Sequence, residues 1–149
     1  MVESKLVELV VAGSSPVGHP IFISGMNAAE LNQATTFDEA ALLRSLDKDP
    51  KLLHEVARLF CEVDCPRLFK MLIEGLQTLD GTVIYEAGHA LKGLFGEMRA
   101  AHAQNLARLV EQAGQTKNFH GLDSLVLELV SETDHLKTEL RIFLIANPI

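Results

Sequence analysis

From residue 50 onward, apolar positions recur every three or four residues, the spacing of one face of an α-helix. Leu52, Leu53, Val56, Leu59, Phe60 and Val63 form the first stripe, and Leu68, Phe69, Leu72, Ile73 and Leu76 resume it. Between them stands Pro66, which lacks an N–H and crowds the preceding turn, so an interruption or bend is expected near Asp64-Cys65. Asp49-Pro50 reads as the start of this helix: the carboxylate caps, and the proline's missing donor is not needed at the first helical position. Asp80-Gly81 ends the segment and caps the next helix, which runs from about Thr82 to Gly96 or Met98. A further helix is expected from about Ala100 to Ala113, stopping at Gly114. Asn118 is expected to cap a long last helix that ends before Asn147-Pro148.

Upstream the pattern differs. Thr36-Phe37-Asp38-Glu39 has capping-box spacing, with the Thr36 hydroxyl three residues before a carboxylate, and opens a short helix through Leu42, Leu43 and Leu46. Residues 1–36 carry Pro16, Pro20, Gly13-Ser14-Ser15, Gly18 and Gly25, and read as an arm or linker with one candidate helix at Lys5–Val11. No stretch shows sustained strand alternation and no long repeat is visible. The expected fold is all-α: an antiparallel four-helix bundle over residues 37–149, with the short additional N-terminal helix covering one end.

Composition narrows the function classes. Of 149 residues 48% are apolar and none is tryptophan, so the core is built mainly from Leu, Val, Ile and Ala. Thirteen Lys and Arg against 20 Asp and Glu, a net charge of −7, argue against gripping nucleic-acid phosphates. No apolar run approaches the roughly 18 residues of a membrane span, and Glu3 and Glu8 within Met1–Gly13 argue against a secretory signal. Two cysteines, Cys61 and Cys65, are too few for a disulfide scaffold and read as small buried thiols. The expectation is a cytoplasmic globular domain with no nucleic-acid partner and no membrane insertion.

One helix face is unusual. Advancing about 100° per residue from Ile84 places Ala87, Leu91, Leu94, Phe95 and Met98 in one apolar arc. His89 falls near 140°, on the outward side with Thr82, Tyr85, Lys92, Gly93 and Gly96. Glycine inside a helix costs on the order of 1 kcal/mol relative to alanine, so Gly93 and Gly96 call for a reason. A side-chain-free surface would let another protein approach His89; alternatively the helix frays or kinks, with Gly96 as a C-cap. A water-facing imidazole can offer a neutral ring nitrogen as nucleophile, and Lys92, one turn on, can offset the charge of a phosphoryl group held there. No Ser–His–Asp or Cys–His arrangement and no glycine-rich nucleotide loop accompanies it.

His89-Ala90-Leu91-Lys92-Gly93 resembles the H-x-L-K-G motif of the histidine-containing phosphotransfer (HPt) domains of bacterial phosphorelays. Phe37-Asp38 through Leu46, Leu59-Phe60 through Leu79-Asp80, and Ala100, Ala107, Val110 and Glu111 extend the resemblance over roughly residues 37–145. The resemblance implies a four-helix bundle whose His89 accepts a phosphoryl group at Nε2. It further implies that Lys92 supports that group, that Gly93 is the small position beside it, and that Glu111 accepts a hydrogen bond from Nδ1. Tyr85, Gly93 and Gly96 would border the docking surface. The implied partner is the receiver domain of a response regulator or hybrid sensor kinase, which brings Mg²⁺; this chain binds no cofactor and is a phosphocarrier with no ATP site. Leu94 and Phe95 stand where the family often has small residues, and Arg99 where it usually has glycine.

Two other readings compete. A helical adaptor would dock receivers without carrying phosphate, which intact His89 and Lys92 argue against. Glu86-x-x-His89 and Glu132-x-x-His135 have the spacing of di-iron bundles, but Glu86 lies outside the apolar arc and such a site needs inward ligands. His54, His102 and His120 have no partner pattern and read as surface or helix-end residues.

Overall fold

The computed structural model describes residues 36–149; the arm and its candidate helix at Lys5–Val11 lie outside the described residues. Those residues are all-α: α1 (Glu39–Ser45), α2 (Pro50–Leu59), a π-helical turn (Phe60–Asp64), α3 (Cys65–Thr78), α4 (Gly81–Glu97), α5 (Ala101–Thr116) and α6 (Leu122–Ala146). No strand occurs among them.

Local chemistry explains most boundaries. The Asp49 carboxylate accepts the Lys51 and Leu52 N–H groups at the head of α2, and Asp80 accepts those of Thr82 and Val83 at the head of α4. The interruption expected at Pro66 takes the form of one π turn and not a break. The Cys65 N–H reaches back five residues to the Phe60 carbonyl, and the backbone stays helical on both sides. One extra residue in the turn shifts the hydrogen-bond register where proline has no N–H to give. The chain from Pro50 to Thr78 is therefore one helical path; of the first expected stripe Leu53 and Phe60 are buried and Val56 is half-buried, while Leu52, Leu59 and Val63 are exposed, on the flank of the face that meets the core.

Three boundaries differ from the sequence expectation. α1 is capped by Asp38, whose carboxylate accepts the Ala41 N–H, and not by Thr36. Thr36 is buried, and its own N–H donates to both carboxylate oxygens of Glu139 on α6 at 2.9 and 3.2 Å. α5 does not stop at Gly114; it runs to Thr116, and Lys117 takes the left-handed conformation that ends it. Gly114 serves packing and not termination, because a Cβ there would lie 2.4 Å from the Tyr85 nitrogen on α4. Last, α6 begins at Leu122 after Gly121; the Asn118 side chain instead accepts the His120 N–H at 3.2 Å in the preceding turn.

A single apolar cluster ties the helices together. Leu53, Leu72, Ile84, Leu91, Phe95, Leu129, Leu136 and Leu140 are fully buried, each contributing on the order of 2 kcal/mol by removal from water. α4 packs on α3 and α5, α5 on α6, and α2 on α6. At one end Phe37 meets Phe143 edge-on at 5.6 Å, and the Asp38 N–H donates to the Arg99 carbonyl, seating the entry to α1 against α6 and the α4–α5 connection. His54 Nε2 lies 2.8 Å from the Asn147 carbonyl, joining α2 to the end of α6.

Candidate functional site

The arc deduced for α4 holds: Ile84, Ala87, Leu91, Phe95 and Met98 are buried, and Leu94 is half-buried against the core. Phe95 packs edge-on against Phe60 at 6.0 Å. His89 points the other way, with 62% of its side chain exposed. Gly93 beside it has open space where a Cβ would stand, whereas Gly96 is half-buried against the Gln104 side-chain amide. Gly96 is not the left-handed residue of the helix end. That place falls to Arg99 (φ 59°), with the Arg99 N–H on the Gly96 carbonyl and the Ala100 N–H on that of Phe95, as in a Schellman motif.

Glycine also explains how Glu111 comes to the imidazole. A Cβ on Gly88 would meet the Glu111 backbone nitrogen at 2.5 Å, and one on Gly81 the Gly114 carbonyl at 2.8 Å. With no side chain at Gly81, Gly88 and Gly114, α4 and α5 close to backbone contact. The Glu111 side chain then spans the seam. His89 Nδ1 is 2.5 Å from Glu111 Oε2, and Lys92 Nζ donates to Oε1 of the same carboxylate at 2.9 Å. Only 13% of the Glu111 side chain is exposed, so water screens these bonds less than on an open surface.

The electrostatics follow. The Lys92 hydrogen bond first, and that of His89 second, hold the Glu111 carboxyl below the usual carboxylate range against the raising effect of burial. An ionised Glu111 accepts from Nδ1–H, which leaves the lone pair of a neutral ring on Nε2. Tyr85, one turn before, stacks its ring nearly parallel to the imidazole, with centroids 5.9 Å apart and planes 16° apart. The arrangement is a largely exposed imidazole held at Nδ1 by a carboxylate and flanked by a stacked tyrosine.

Sequence reasoning assigned Lys92 and Glu111 to separate tasks, whereas the structure joins them through one carboxylate. The packing role of Gly88 was not read from the sequence. The seven-residue spacing of Gly81 and Gly88, two helical turns on one face, was the available signal.

The remaining candidates do not converge. Glu86 and His135 are exposed, and Glu132 is half-buried with its carboxyl pushed up by burial. Among the described residues no group of three or more His, Cys, Asp or Glu side chains is placed to share a metal ion. Cys65 is buried, its thiol pushed up to about 12, and Cys61 is half-buried and raised for the same reason. His102 lies 3.9 Å from Glu128, and His120 is exposed. Among the described residues no helix is long and apolar enough to cross a membrane.

The described residues are thus all-helical and display a carboxylate-anchored imidazole on α4. Compared with known proteins, the chain matches no family model, no curated protein and no solved structure.

Proposed function

We propose that the chain is a histidine phosphotransfer domain of the HPt kind, its four long helical stretches forming an antiparallel bundle and His89 carrying the phosphoryl group. The observation that carries this reading is the exposed His89 ring bonded through Nδ1 to Glu111. In the step, the Nε2 lone pair attacks the phosphorus of an aspartyl phosphate on a receiver domain. The N–P bond forms as the P–O bond to the aspartate breaks, and the carboxylate leaves with the electron pair. Nδ1 keeps its proton, so the phosphorylated ring becomes cationic and the Glu111 carboxylate balances that charge. Lys92 holds Glu111 ionised and lies one turn from His89, near the arriving phosphoryl oxygens. In-line transfer depends on positioning and charge balance, with Mg²⁺ expected on the receiver. Bare backbone at Gly93 supports close approach of that partner, and the chain acts as a cytoplasmic phosphocarrier and not a kinase.

Incubation with a phosphorylated receiver domain tests this. Acid-labile, base-stable phosphate is expected on the wild-type chain and none on His89→Gln. Equal labelling of the variant, or no labelling from any of a panel of phosphorylated receivers, overturns the assignment.

A further inference from the structure

Tyr85 stands one turn before His89 on α4. Side chains four residues apart lie one above the other and lean toward the helix N-terminus, so the imidazole leans toward the phenol ring. The rings run nearly parallel, with planes 16° and centroids 5.9 Å apart, inside the range of about 4.5–7 Å for offset stacked pairs. The base of the tyrosine is fixed. A Cβ on Gly114 would lie 2.4 Å from the Tyr85 nitrogen and 2.8 Å from its Cα, so α5 runs directly against the Tyr85 backbone. The tyrosine is half-buried, while 62% of the His89 side chain is exposed. Glu111 holds the imidazole at its Nδ1 edge and Tyr85 flanks one face.

An aromatic face attracts a cation within about 6 Å of the ring centre and does little for a neutral ring. Once Nε2 carries a phosphoryl group while Nδ1 keeps its proton, the imidazole is cationic, and the attraction sets in only then. Hydrolysis removes it again. A water oxygen bonds to phosphorus, and the P–N bond breaks with its electron pair returning to Nε2. The water protons stay on the released phosphate or pass to solvent, and the ring ends neutral. Contact with the tyrosine face therefore favours the phosphorylated ring over the free one.

We infer that Tyr85 is a positioning residue for the phosphorylated imidazole, its ring face stabilising the cationic phosphohistidine and lengthening its lifetime. This role rests on His89 carrying phosphate, as proposed above, and Tyr85 acts through His89 alone. Glu111, which shares its charge with Lys92, balances the ring only at the Nδ1 edge, and the tyrosine adds to that from the face. At an exposed site such a contact is worth about two- to fivefold in an equilibrium.

Phosphoramidate, a small phosphoryl donor, tests the role on the full chain. His89 Nε2 attacks phosphorus, the donor's own P–N bond breaks and ammonia leaves, so no receiver domain enters the measurement. In wild type, Tyr85→Phe and Tyr85→Leu, ³¹P NMR follows the phosphohistidine signal that His89→Gln lacks. After the donor is removed, Tyr85→Leu is expected to lose that signal about two- to fivefold faster than wild type. Tyr85→Phe should stay close to wild type, because it keeps the ring face. Before phosphorylation, the carbon-bound ring protons of His89 are expected to show a ring-current displacement in wild type and Tyr85→Phe that disappears in Tyr85→Leu. Imidazole ¹⁵N shifts should keep the proton on Nδ1 in all three. Equal lifetimes, a Tyr85→Phe as short-lived as Tyr85→Leu, no ring-current difference, or loss of the Nδ1 proton in Tyr85→Leu overturns the role of Tyr85. Absence of any His89-dependent signal in wild type overturns the reading of His89 as phosphoryl acceptor, and the role of Tyr85 with it.

Discussion

Gly88→Ala is the sharpest test of how the site is assembled. The added Cβ would lie 2.5 Å from the Glu111 nitrogen and 2.8 Å from its Cα, both backbone atoms that cannot swing aside. Ordinary contact begins near 3.4 Å, so α4 and α5 must separate by about 1 Å. Overpacking of this kind costs typically 1–3 kcal/mol, and alanine's helix propensity returns about 1 kcal/mol, leaving a net loss of up to about 2 kcal/mol. The same displacement stretches the 2.5 Å His89–Glu111 bond toward the limit of hydrogen bonding. Gly93→Ala is the control, because nothing lies within 4 Å of its would-be Cβ and the change should stabilise by about 0.5–1 kcal/mol. Urea denaturation measures the stability, and ¹⁵N shifts of the imidazole report whether the proton stays on Nδ1. Opposite signs for the two variants are expected, with the His89 tautomer disturbed only in Gly88→Ala. A stabilised Gly88→Ala with an unchanged ring would refute the close-approach reasoning.

Other consequences are open to direct measurement. Glu111 is held below the ordinary carboxylate range in the folded state, so its contribution is present above the unfolded carboxyl's range and is lost as pH falls through the lower folded value. Glu111→Gln should therefore lower stability near neutrality and flatten its fall on acidification; an unchanged acid limb contradicts the pairing with Lys92 and His89. Leu79 holds φ 52° after α3 while its side chain is 61% exposed. Leu79→Gly should stabilise by about 1 kcal/mol, a few degrees in Tm, and a loss in calorimetry would count against strain there. With its thiol pushed up to about 12, Cys65 should resist a disulfide reagent at mildly alkaline pH in the native state while Cys61 reacts slowly. Both should react on denaturation, and rapid native labelling of Cys65 would contradict its burial.

Helix existence was legible in the sequence because amphipathic spacing reflects which side chains must leave water, a local pattern. The caps at Asp49 and Asp80 were legible for the same reason, since each needs only its own carboxylate and the next turn. Gly114 and Asn118 misled because identical residues end helices or pack them, and only the neighbouring helix decides which. The outward placement of His89 could be read from one helix alone; Glu111 was named through a resemblance, and the spacing offered no route to its partners.

Sequence by itself determined the apolar arc of α4 and the side on which the imidazole emerges, because both follow from a fixed turn of about 100° per residue; in the first stripe it over-reached, since Leu52, Leu59 and Val63 are exposed. Tertiary structure decided that one carboxylate binds both Lys92 and His89, and that it takes the ring at Nδ1. Those two groups lie 19 and 22 residues from Glu111, and only the bare backbone of Gly81, Gly88 and Gly114 lets the two helices come near enough for it to reach them.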